Sequence, residues 1–165
     1  MAIYCINRSQ AGRLAIVSRP RGGDFLSEDL ATLKDGGIDI LACLLTAREI
    51  TDLDLAGEAD TCRALGLQHL SFPITDRTVP NSFEAVSKFA DRLLAELACG
   101  KGIGIHCYAG IGRSALIAAS VLIKEGKSTA VAFDLIRYAR RYEVPQTEEQ
   151  REWAEEFARF LQGER

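Results

Sequence analysis

The spacing of apolar positions changes several times along the chain, and each change marks an element. Residues 2–6 and 14–18 are short apolar runs that predict two strands of a hairpin. From 25 to 34 the spacing turns helical, with Asp24 or Ser27 expected as the cap and Gly36-Gly37 as the stop. Residues 38–46 are nearly unbroken in apolar character, which suits a strand buried on both faces. A helix over 58–65 ended by Gly66, a strand over 67–72 and a polar loop over 73–81 follow. Phe83, Val86, Phe89, Ala90, Leu93, Leu94 and Leu97 then recur at helical spacing within 82–99. Residues 102–106 predict a short strand. Residues 113–124 are apolar on every side, so that helix belongs in the interior. Two amphipathic helices, 128–141 and 148–161, are parted by Val144-Pro145. Strands alternating with helices predict an α/β fold: a central, mostly parallel, twisted sheet flanked by helices, with a C-terminal helical cluster on one side.

Composition narrows the class. With 165 residues, 47% hydrophobic and 26% charged, the chain is expected to form one domain over residues 1–165 with its own core. A net charge of −3 and a pI near 5.5 argue against a dedicated nucleic-acid-binding module. The longest apolar stretch, near residues 115–123, is far short of the roughly 20 residues a membrane span needs. The first residues lack the charged lead of a secretory signal. The expectation is a cytoplasmic monomer that binds neither nucleic acid nor membrane.

The five cysteines form no C-x-x-C pair, and their odd number speaks against a disulfide framework. No metal and no cofactor are expected. Four of the five, including Cys43 within its apolar run, read as small buried hydrophobes, and a reducing compartment suits them.

Cys107 is the exception. It stands in Gly104-Ile105-His106-Cys107-Tyr108-Ala109-Gly110-Ile111-Gly112-Arg113-Ser114, where a strand passes through a glycine-containing loop into the apolar helix. A helix start presents unpaired backbone N–H groups, and the helix dipole makes them an anion site. Gly110 and Gly112 let successive N–H groups converge, and Arg113 adds a planar fork of donors matched to phosphate. Dipoles and a guanidinium around a thiol favour the thiolate, so one loop would bind a tetrahedral anion and hold a nucleophile beneath it. A nucleotide P-loop fits poorly: laid over this segment, its first glycine falls on Cys107 and its lysine is replaced by Arg113.

The string HCYAGIGRS resembles the H-C-x-x-G-x-x-R-[ST] signature of the protein tyrosine phosphatase superfamily at every fixed position. The likeness runs from about residue 20 onward and implies that family's α/β fold. It also implies a two-step reaction through a cysteinyl-phosphate. By that resemblance Cys107 attacks phosphorus, and Arg113 with the loop residues Tyr108, Ala109, Gly110, Ile111 and Gly112 holds the phosphoryl oxygens. Ser114 helps the thiolate depart, and His106 orients the loop from behind.

The leaving oxygen needs a proton, which an acid on a nearby loop supplies. Asp76, within Pro73-Ile74-Thr75-Asp76-Arg77-Thr78-Val79-Pro80, is the only acidic residue between Asp60 and Glu84. That form resembles compact dual-specificity and kinase-associated phosphatases, and it places Asp76 as acid, with Asp52 and Asp54 next in line. Gln146 and Gln150 resemble a Q-x-x-x-Q element that positions water. Thr147 with Gln150 equally reads as a capping box, and the two readings are compatible.

His69 reads as a satisfied strand histidine. The basic run from Arg137 to Tyr142 reads as a solvated helix face, with steering of a phosphorylated partner as its other use. Trp153, Phe157 and Phe160 read as packing.

The chain is short for a tyrosine-specific enzyme, and dual specificity toward phosphoproteins is the expectation. A lipid or inositol phosphate phosphatase on the same fold would favour lysines in the loop, whereas Tyr108, Ala109, Ile111 and Gly112 include none. A rhodanese-like sulfurtransferase also places a cysteine before a helix, but needs no acid loop. A phospho-binding module without turnover would have no use for Cys107, Arg113 and Asp76 together.

Overall fold

The computed structural model describes residues 1–163. Five strands form one sheet: β1 (Ile3–Cys5), β2 (Arg13–Val17), β3 (Ile40–Cys43), β4 (Gln68–Ser71) and β5 (Gly102–His106), in the spatial order β1-β2-β5-β3-β4. Only β1 is antiparallel, paired to β2 with Ile3 opposite Val17. The other four are parallel, and β5 lies between β2 and β3.

Alternation along the strands divides the core in two. Ile16, Ile40, Ala42, Ile103 and Ile105 face a layer made by α4 (Phe83–Ala98), α5 (Arg113–Lys124), α6 (Thr129–Arg140) and α7 (Glu148–Leu161). Ala15, Val17, Leu41 and Cys43 face the opposite layer, which holds α1 (Leu26–Asp35) and α3 (Glu58–Ala64). The sequence of β5, Gly-Ile-Gly-Ile-His, shows why the second layer comes so close. A Cβ on Gly102 would stand 1.9 Å from the Gly37 carbonyl oxygen, and one on Gly104 would stand 2.9 Å from Val17 Cγ1. By the period of two, His106 continues the face that these glycines leave open. Residues 113–123 of α5 are all buried, as expected of a helix apolar on every side, and α4, α6 and α7 pack around it.

Several boundaries differ from the sequence reading. The segment before α1 winds first as a 3₁₀ turn, Gly23–Phe25, so neither Asp24 nor Ser27 caps the helix through its side chain. The apolar run 38–46 keeps only four residues in β3, because β4 and β5 pair with it no further than Ser71 and His106. Past that end comes a helix absent from the sequence reading, α2 (Ala47–Asp52), capped by Thr46. The cysteine expectation also changes: Cys43, Cys62 and Cys107 are buried, but Cys5 and Cys99 are exposed.

Candidate active site

The loop 107–112 joins the end of β5, at the middle of the sheet, to the start of α5. Thr46, Ser82, Ser128 and Thr147 cap α2, α4, α6 and α7 with side-chain oxygens. The cap residue of α5 is Gly112, which has no such oxygen to give, so its first N–H groups remain free for an anion. Gly110 takes φ +71, a conformation that glycine adopts without the steric cost a side chain brings. That turn carries its N–H back to Cys107 Sγ at 3.2 Å. Cys107 lies almost wholly buried at the loop's base.

Arg113 is buried, and its guanidinium is held on several sides. It donates from Nη1 and Nη2 to the two oxygens of Glu49, both at 2.8 Å, and from Nη1 to the Ile74 carbonyl at 2.8 Å. Asp76 Oδ1 lies 2.9 Å from Nη2. Glu49 also accepts from the Thr46 N–H at 2.9 Å, completing a capping box at the start of α2. The Arg113 hydrogen bonds outweigh partial burial and hold the Glu49 carboxyl at about 2.

The acid loop is pinned from two directions. On the sheet side, Ile74 N–H donates to the Leu44 carbonyl at 3.1 Å. On the α7 side, Gln150 Nε2 donates to the Thr78 carbonyl at 3.2 Å and Trp153 Nε1 to the Pro80 carbonyl at 3.0 Å. Asp76 stands in the turn between, half-exposed at the mouth. Asp52 and Asp54 take no part here; the backbone of Asp54 receives the Gly23 N–H at 3.1 Å.

Gln146 and Gln150 both flank Gly112, where an added Cβ would meet Gln146 Oε1 at 2.9 Å and Gln150 Nε2 at 3.0 Å. Gln150 Oε1 accepts from the Gln146 and Thr147 backbone N–H groups, and Thr147 forms the capping box read from the sequence. Ser114 is fully buried, and its Oγ has no protein partner among the described residues. His106, also fully buried, places Nε2 3.0 Å from Glu58 Oε1.

The loop and its surroundings correspond to a known group. A family model described as polymorphic toxin system, DSP-PTPase phosphatase matches residues 15–127, from within β2 to just past α5, and so includes Asp76 and the whole nucleophile loop. The chain belongs to this DSP-PTPase family. Among curated proteins, rat cyclin-dependent kinase inhibitor 3 is 28% identical over 134 residues; the match covers 80% of this chain and 63% of that protein, under two thirds of its length. A crystal structure of kinase associated phosphatase, with serine substituted for its catalytic site cysteine, superposes with a TM-score of 0.88 at 24% identity, covering 100% of this chain and 98% of that one. Tk-PTP in its active form gives 0.75 at 23% identity, covering 96% and 98%. These two structural likenesses establish the α/β tyrosine-phosphatase-like fold.

Around the loop, Glu49 and Glu58 were passed over in the sequence reading, and Arg140 was given another place. Glu49 was signalled by Thr46-x-x-Glu49, the spacing of a capping box. Arg140 leaves the solvated face assigned to its run: it lies 4.0 Å over the Tyr4 ring and donates to the carbonyls of Gly110 at 2.8 Å and Ala109 at 3.3 Å, bracing the loop from outside. Glu58 carries no sequence signal beyond its place in the first turn of α3. Trp153, stacked on Phe157 at 5.3 Å, serves the packing expected of it.

Proposed function

We propose that this chain is a phosphoprotein phosphatase of dual specificity, working through a cysteinyl-phosphate without a metal. One observation carries the reading: a buried cysteine sulfur under a loop N–H, a buried arginine and an aspartate converge at the start of an uncapped helix. Those groups supply nucleophile, charge stabilisation and proton donor among themselves.

In the first step the Cys107 sulfur attacks phosphorus and the bond to the ester oxygen breaks. The loop N–H groups and Arg113 hold the phosphoryl oxygens, where charge gathers in the transition state. Protonated Asp76 gives its proton to the leaving oxygen. In the second step water attacks phosphorus, Asp76 takes a proton from it, and the P–S bond breaks to return the thiolate and release phosphate. The buried Ser114 hydroxyl sits beside the loop to assist that departure. Gln146 is the residue assigned to the water: its side chain has no bond to protein among the described residues, whereas Gln150 is committed to the Gln146–Thr147 backbone and to Thr78. The loop positions Tyr108, Ala109, Ile111 and Gly112 bring no lysine to a highly charged head group, which supports a phosphoprotein substrate over a phosphoinositide. A cytoplasmic location fits a nucleophilic thiol that must stay reduced; no helix among the described residues is long and apolar enough to cross a membrane.

The test is hydrolysis of p-nitrophenyl phosphate, with and without chelator, by wild type, Cys107→Ser and Asp76→Asn. Cys107→Ser should abolish turnover and chelator should change nothing. Asp76→Asn should slow alkyl phosphates far more than aryl phosphates, whose leaving groups need less protonation. Activity that survives Cys107→Ser, or disappears with chelator, overturns the mechanism.

A further inference from the structure

The chain contains two histidines, and they meet on one carboxylate. Glu58 begins α3 and is buried, 2% exposed. Its Oε2 lies 2.9 Å from His69 Nε2 on β4, and its Oε1 lies 3.0 Å from His106 Nε2 at the end of β5. From β3, between those strands, Cys43 Sγ comes within 4.8 Å of both the Glu58 carboxylate and the His106 ring. Among the described residues no lysine or arginine pairs with Glu58; its side-chain partners are the two imidazoles. Three parallel strands, at the end of the sheet where the nucleophile loop starts, thus converge on one buried acid.

A buried carboxylate is costly to leave unpaired, and this one is held by imidazoles alone. Burial raises the Glu58 pKa, but the His106 and His69 rings beside the carboxylate outweigh it and hold the group at about 2, so it stays anionic at neutral pH. The other titratable groups that face it are thiols. Burial first, then the Glu58 charge, pushes Cys43 well above the ordinary thiol range and Cys62 to about 12, so both stay neutral. The polar groups that meet the carboxylate are thus the rings of His69 and His106. His106 is fully buried and its approach to Oε1 lies off the line of a good hydrogen bond, so Glu58 Oε1 and both His106 ring nitrogens lack an aligned partner. The next residue in the chain is Cys107. His69 is 16% exposed and forms the side of the cluster nearest to water.

We propose that Glu58 is a positioning residue for the nucleophile loop: its carboxylate anchors the His106 ring, and so the backbone that delivers Cys107, while His69 braces the carboxylate from the solvent side. The anion-binding groups, Arg113 and the N–H groups at the start of α5, lie beyond Cys107 and do not depend on this anchor. Losing it should therefore affect attack by sulfur more than capture of phosphate. This inference rests on the phosphatase reading.

The experiment compares kcat, KM and the pH profile of kcat/KM for p-nitrophenyl phosphate in wild type, Glu58→Gln, His69→Gln and His69→Ala. Glu58→Gln keeps the shape and removes the charge. It should lower kcat about tenfold, leave KM within about twofold, and change the pH profile. His69→Gln still offers a donor to Oε2 and should stay within about twofold of wild type in kcat, whereas His69→Ala should fall toward Glu58→Gln. A Glu58→Gln enzyme with wild-type kcat and a superimposable pH profile overturns the proposal, whatever its melting temperature. If that variant does not fold, the histidine pair decides: equal kcat for His69→Ala and His69→Gln overturns it. A wild-type protein without phosphatase activity sinks the phosphatase reading instead, a separate result from an active wild type whose variants are unaffected.

Discussion

Replacing Glu49 by glutamine isolates the charge that holds Arg113. Glutamine keeps the side-chain length and can still close the capping box with Thr46, so helix α2 should survive. What disappears is a carboxylate with both oxygens 2.8 Å from the guanidinium and a side chain only 18% exposed. The fall of its pKa from 4.5 to about 2 corresponds to roughly 3 kcal/mol favouring the folded state. Solvent at the exposed edge, with the Ile74 carbonyl and Asp76 still on Arg113, brings the expected loss to about 2 kcal/mol. The pH dependence has a definite sign. A carboxylate whose pKa is depressed by folding stabilises fully above its unfolded value of 4.5, and that stabilisation is lost as pH falls through about 2. Urea unfolding at pH 7 should thus show wild type ahead of Glu49→Gln by about 2 kcal/mol, and at pH 3 by less than half of that. Glu58 is also held at about 2, but it contributes equally to both proteins and cancels in the difference. Equal gaps at the two pH values, or no gap at pH 7, would refute the assignment of the Glu49–Arg113 pair as the main electrostatic anchor of the site.

Two glycine substitutions test the geometry elsewhere. Gly112→Ala places a Cβ 2.9 Å from Gln146 Oε1 and 3.0 Å from Gln150 Nε2, so both side chains must give way. The hydrolytic step should slow about tenfold, ~1.4 kcal/mol of barrier, and rapid mixing with an aryl phosphate should show a burst of phenol; a steady rate from the first turnover with kcat unchanged contradicts it. Gly102→Ala drives a methyl onto the Gly37 carbonyl and should cost about 3 kcal/mol or more in urea unfolding. Gly126→Ala, at φ +90 with open space around it, should cost only about 1 kcal/mol; equal losses for the two would mean that the approach of β5 to Gly37 is not tight.

The parts of this molecule legible in the sequence are those written in local patterns. The all-round apolar helix 113–124 could only be interior, and the loop before it carried a cysteine, glycines and an arginine at a spacing that few other uses require. The carboxylates behind the loop were less legible because their roles arise from pairing across the sheet. Glu49 meets Arg113 across 64 positions, and no period or motif in one chain connects them. Glu58 and His69 are eleven residues apart, but the third member, His106, arrives only when β5 lies against β3. The missed helix α2 has another cause: six residues are too few to show a period, so its capping box was its one signal. Cys5 and Cys99 were misjudged because apolar neighbours in sequence do not ensure burial at the edge strand β1 or just past the end of α4.

The contact between Asp76 and Arg113 changes what substrate binding means in this site. The guanidinium is not an empty positive socket, since it already lies against two carboxylates, the 18% exposed Glu49 and the 53% exposed Asp76. On the proposed mechanism, a phosphate that takes Nη2 must displace Asp76, so binding is an exchange at Arg113 in which one negative charge leaves and two arrive. Part of the attraction to Arg113, which salt would screen, is then offset by the carboxylate displaced, and more of the affinity falls to the free N–H groups at the start of α5. On the same mechanism the exchange frees the Asp76 carboxylate, which takes up a proton from solvent before it serves as the acid of the first step.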